Sequence, residues 1–142
     1  MTSERPPDHL VVPAVLDRLA EARLWVRAHA ERCGFTGQDL TEIELALTEA
    51  LSNSVRHGLR QDADQEVVLE AVSTASELQV VLRDRGPAFD PTTRPEPDLS
   101  EPQAGGYGIH LIRTVMDEVL WQHDDGENRL TLVRRRHEEP TS

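Results

Sequence analysis

Glu49, Asn53 and His57 stand four residues apart in the stretch ALTEALSNSVRHG, residues 46–58, and a helix would stack them along one side. Leu47, Ala50, Leu51 and Val55 in the same stretch form an apolar face that packs inward. A Glu and an Asn one turn apart bring an acid and an uncharged amide oxygen into one cleft. Magnesium takes oxygen ligands and keeps waters and phosphates around it, so Asn53 suits a place beside the metal. Glu49 could then polarise a hydroxyl or water next to it. The plain alternative is the exposed polar face of an amphipathic helix.

Two further clusters invite similar chemistry. In RDRGPAFD, residues 83–90, Asp84 ends a strand-like run. A carboxylate there can accept a hydrogen bond from an exocyclic amine, and Gly86 lets backbone approach a flat ligand. An ordinary strand-ending turn has the same composition. In AGGYGIHLI, residues 104–112, Gly105, Gly106 and Gly108 open a helix whose free N-terminal amides favour anions; a flexible joint is the alternative. Gly106-x-Gly108 is not a dinucleotide fingerprint, because it follows a proline-rich loop and not a strand, and lacks the later acid of a βαβ unit. No phosphate-loop motif and no protein-kinase catalytic loop is present.

The elements that must position these residues follow from pattern. HLVV before Pro13 reads as an edge strand. Val15, Leu19, Ala22, Val26 and Ala30 mark a helix over 14–33, with Gly34 as its stop. TGQD supplies caps for a second helix from about Leu40 to His57, closed by Gly58. EVVLEAV (66–72) and ELQVVLRD (77–84) form a hairpin. Residues 87–105 hold five prolines and little periodicity, the character of a lid or binding loop. A third helix follows, with Ile109, Ile112, Val115, Met116 and Val119 on one face, and then a second hairpin, VLWQH and RLTLVRR around the turn DDGEN. The expected fold is α+β: a two-layer α/β sandwich with a mixed, mostly antiparallel sheet and three helices on one face. One domain over 9–136 is expected, flanked by disordered tails at 1–8 and 137–142.

Composition narrows the function classes. Of 142 residues only 4% are aromatic, so the core must be aliphatic. A net charge of −11 argues against direct binding to nucleic acid or to an anionic membrane, both of which need a basic patch. Cys33 is the only cysteine; an intrachain disulfide and a thiol-based metal cluster are excluded, and it reads as a buried or semi-buried thiol and not a nucleophile. No signal peptide and no membrane-spanning run is visible, which makes a soluble, cytoplasmic protein the expectation.

Taken in order, EALSN on a helix, DRG after a strand, and a long loop ending in GGYG before a helix resemble the N, G1 and G2 boxes of the Bergerat-fold (GHKL) ATPase superfamily. Within it, ELALTEALSNSVRHG, DRGPAFDP and GIHLIRTVMDEV look like the anti-sigma factor serine-protein kinases of bacterial partner-switching systems. The resemblance covers roughly residues 10–136. It implies Glu49 as general base, Asn53 as magnesium ligand, Asp84 as the acid that recognises the adenine amino group, and Gly86 as the glycine that lets the backbone close on the base. Gly105, Gly106 and Gly108 would meet the phosphates of ATP beneath a lid at 87–105. It also implies a homodimer, an antagonist of the anti-anti-sigma type as phosphorylation substrate, and a sigma factor or similar regulator as binding partner.

Three departures stand against the family pattern: Ala88 where many relatives carry another glycine, Tyr107 inside G-x-G, and no Lys or Arg from Pro95 to Tyr107. Phosphoryl transfer depends on positioning and charge stabilisation, and only Arg94, Arg113 or a partner's residue could supply the cation. The alternative reading is therefore a catalytically weak, nucleotide-responsive protein-interaction module. A detached ATP-binding domain of a sensor histidine kinase fits less well, since the phosphoacceptor helical hairpin is missing.

Overall fold

The computed structural model describes residues 8–58, 64–88, 90, 92 and 107–136. Strand β1 (Asp8–Pro13) leads through a 3-10 turn at Leu16–Arg18 into helix α1 (Leu19–Cys33), which ends at Gly34 with φ 97°. Helix α2 (Gly37–Asn53) continues into a π-helical segment, Ser54–Gly58. Strands β2 (Glu66–Ser73) and β3 (Glu77–Asp84) follow, then helix α3 (Tyr107–Val115), β4 (Glu118–Asp124) and β5 (Glu127–Arg135).

The five strands are ordered β1-β2-β3-β5-β4, and every neighbouring pair is antiparallel. The sheet is thus not mixed. The β3–α3–β4 crossover does leave β3 and β4 pointing the same way, but β5 pairs between them and no parallel ladder forms among the described residues. HLVV is an edge strand, as its place before Pro13 suggests.

Several boundaries differ from the periodicity. Helix α1 starts five residues later than Ala14, after the 3-10 turn. Helix α2 starts three residues before Leu40; Thr36 occupies the N-cap, but its hydroxyl makes no cap bond. Val119 belongs to β4 and not to α3, because the helix ends at Val115 and the chain bends at Asp117 before β4. The DDGEN turn shrinks to two residues: Asp125 and Gly126 have φ 53° and 73°, the doubly left-handed turn that suits the twist of a hairpin.

One sheet face carries the core. Val12, Val67, Leu69, Leu78, Val80, Leu82, Leu130 and Leu132 pack with Val26, Ile43, Leu47, Leu51, Ile109 and Ile112 from the three helices in a single cluster. Strand alternation puts charge on the other face, where Arg83 bridges Glu70 at 3.0 Å and approaches Glu127 at 4.0 Å. Arg134, phased with the core residues, straps the layers together. Its guanidinium meets Asp39 at the start of α2 at 2.7 Å and the Val115 carbonyl at the end of α3 at 2.6 Å.

Two buried groups on α1 lie apart from the polar stripe of α2. Cys33 is 1% exposed and donates to the Glu77 carbonyl at 3.2 Å; burial pushes its thiol pKa up, which fits an inert thiol. His29 is 5% exposed, packs edge-on against Trp25 and reaches Asp8 of β1 at 3.2 Å, with Arg32 beside the same carboxylate. Burial lowers its pKa, and this outweighs the opposing pull of Asp8. The Nδ1 atom has no hydrogen-bond partner, so a proton added there would be a buried unsatisfied donor. Since the unfolded imidazole takes up a proton below about pH 6.5 and the folded one resists it, stability is held above that pH and lost on acidification. Urea unfolding at pH 7.5 and 5.5 should show this loss, reduced in His29→Gln. An identical pH dependence in the variant would remove His29 as its source.

Candidate active site

The polar stripe of α2 survives as far as Asn53. Beyond it the backbone passes into a π-helical segment, Ser54–Gly58, with i→i+5 bonds. Glu49 and Asn53 are half-buried, and α3 lies against them. A Cβ built on Gly108 would sit 2.7 Å from Glu49 Oε2 and 3.5 Å from Asn53 Nδ2. Only a bare Cα lets the first turn of α3 approach the acid this closely, which gives Gly108 a steric reason separate from backbone freedom. A cleft of about 360 Å³ opens here, lined by Glu49, Gly108, His110, Leu111 and Thr114. Gly105 and Gly106 lie outside the described residues. The helix they precede starts beside the cleft, and a helix N-terminus favours anions.

Asp84 forms a second group with Gly86. On β3 the buried positions are Leu78, Val80, Leu82 and Asp84, so the carboxylate belongs to the helix-covered side of the sheet even though it ends the strand. It is 7% exposed. Its Oδ1 accepts the Gly86 N–H at 2.9 Å and the Asn128 amide at 3.0 Å. Asn128 stands directly opposite Asp84 in the β3–β5 register. Its Nδ2 also lies 3.1 Å from the Gly86 carbonyl and 2.9 Å from that of Pro87, while Trp121 Nε1 donates to its Oδ1 at 3.3 Å. Asn128 is the site residue that motif reading misses. The available signal was an amide in the strand phase of Leu130 and Leu132, where an aliphatic residue belongs.

Of the three departures, Ala88 is exposed beyond the Asp84 turn, and Tyr107 begins α3. Of the two candidate cations, Arg94 lies outside the described residues, and Arg113 donates to the Thr92 carbonyl. Among the described residues no group of three or more His, Cys, Asp or Glu is arranged to hold a metal. The donor set nevertheless fits magnesium of the kind that borrows its ligands, with one amide oxygen from Asn53 and the remainder from phosphates and water. No helix among the described residues is long and apolar enough to cross a membrane.

An antiparallel sheet covered on one side by three helices, with an acid–amide pair facing a glycine at a helix start, is the architecture of a histidine kinase-like ATPase domain. The model of that family matches residues 12–134. The serine-protein kinase RsbW of Listeria monocytogenes serovar 1/2a is 31% identical over 125 residues, spanning 82% of this chain and 80% of that protein. RsbW of Bacillus subtilis strain 168 is 31% identical over 124 residues, spanning 81% and 77%. The chain belongs to the RsbW-type anti-sigma factor serine-protein kinase family of the GHKL ATPases. A crystal structure of the RsbU and RsbW domains of Rv1364c from Mycobacterium tuberculosis shares the fold, with a TM-score of 0.64 and 21% identity over 92% of this chain. The match spans 32% of the crystallised chain.

Proposed function

We propose that this chain is an ATP-dependent serine-protein kinase that phosphorylates an antagonist protein and also binds a sigma factor or similar regulator, acting as a homodimer. The observation that carries the reading is the Glu49–Asn53 pair held against Gly108 at the start of α3. In the proposed step the acceptor serine oxygen attacks the γ-phosphorus of ATP, the bond to the β–γ bridging oxygen breaks, and ADP leaves. Glu49 takes the serine proton as general base. Asn53 would hold magnesium, which when bound neutralises phosphate charge. Asp84 accepts a hydrogen bond from the adenine amino group, and the α3 amides orient the phosphates.

Incubation of the protein with labelled ATP, magnesium and candidate antagonists encoded in the same genome tests this. Label on a serine of one antagonist is the expected result. The engagement of Arg113 by the Thr92 carbonyl favours the second reading, a nucleotide-responsive interaction module, by leaving that cation occupied away from a γ-phosphate. ATP binding and regulator binding without transfer to any antagonist would establish that reading and refute the kinase.

A further inference from the structure

We propose that Asn128 is a positioning residue for nucleobase recognition: it orients the Asp84 carboxylate so that Oδ2 faces the amino group of the base. The inference rests on the nucleotide-binding reading above and extends it to a residue outside all three sequence boxes. Asn is disfavoured within strands, and a buried amide is costly unless bonded. At 6% exposure Asn128 therefore needs partners, and it has them on both ends.

The partners determine which way the amide faces. An indole N–H can only donate, so the contact from Trp121 Nε1 at 3.3 Å assigns the near atom of Asn128 as the oxygen. The NH₂ group must then point at Asp84. There it meets three acceptors within 2.9–3.1 Å: Asp84 Oδ1 and the carbonyls of Gly86 and Pro87. With the Gly86 N–H also on Oδ1, that oxygen is held by two donors, while Oδ2 has no hydrogen bond among the described residues.

A carboxylate about its terminal torsion has a broad, shallow preference; two donors on one oxygen remove that freedom. The other oxygen becomes a fixed acceptor, and preorganised acceptors discriminate best because no reordering accompanies binding. Asn128 also ties the first residues beyond β3 to β5, so the turn bearing Gly86 is set by the same amide.

The test compares ATP with inosine triphosphate, which lacks the amino group, by calorimetric titration. The native protein should favour ATP by about tenfold or more, the range of a hydrogen bond to a charged group. Asn128→Ser cannot span the three acceptors, so ATP affinity should fall about tenfold with inosine triphosphate affinity unchanged. A merely structural role would lower both equally, and that result overturns the proposal.

Asn128→Asp gives a second readout in a side chain of the same shape. Two carboxylates this close cannot both ionise; lowering the pH from 8 to 5 should restore a shared proton, a donor and the preference for ATP. A preference that is flat across this range, or native-like at pH 8, also overturns the proposal. If the native protein binds no ATP, the nucleotide reading itself fails before Asn128 is altered.

Discussion

Glu49→Gln should slow phosphoryl transfer to an authenticated antagonist by about 10²–10⁴-fold, the usual effect of losing a general base, while ATP affinity changes little. The substitution keeps the shape of a side chain that lies against Gly108 and removes only its capacity to take a proton. Because one negative charge leaves the neighbourhood of the phosphates, any change in ATP affinity should be an increase. Single-turnover transfer and calorimetric titration separate the two effects. Transfer at the native rate would show that Glu49 is not the base, and the step proposed here would be wrong.

The second large effect is expected from a residue with no side chain. Gly108→Ala places a methyl 2.7 Å from Glu49 Oε2, inside contact distance. The obstructed atom is the end of a flexible side chain, so Glu49 swings aside and the helices stay where they are. Alanine is also a better helix former than glycine, by up to about 1 kcal/mol in an interior and by less in the first turn, where Gly108 stands. The variant should melt at or above the native temperature yet transfer phosphate about 100-fold more slowly, the scale of a ~1 Å misplacement of a catalytic group. Stability and activity moving in opposite directions is the signature. A native transfer rate would mean that the approach of α3 does not position Glu49.

Periodicity made most of the fold legible. The strands β2, β3 and β5 and the apolar faces of α1 and α2 come from apolar residues at spacings that only one backbone geometry can bury. Local chemistry explains the stop at Gly34 equally well. What escaped the sequence depends on relations between distant segments. The π turn after Asn53 is a change of hydrogen-bond register that no residue type announces. The insertion of β5 between β3 and β4 is a choice among pairings of similar hydrophobic pattern. Asn128 escaped for the same reason, since its contact with Asp84 is made only by the β3–β5 register. The acid–amide pair, by contrast, was readable because its two members are neighbours on one helix.

Pinning by Asn128 at one end and the close seat of Gly108 at the other has a consequence for how this chain can change over evolutionary time. The connection between them, residues 88–106, begins and ends at anchored points. Closing a loop between fixed ends carries an entropic penalty that grows only logarithmically with its length, so doubling such a segment costs about 0.6 kcal/mol. Changes in the length of this stretch therefore cost the two anchored ends little. This stretch of sequence can diversify while Asn128 and Gly108 keep their geometry.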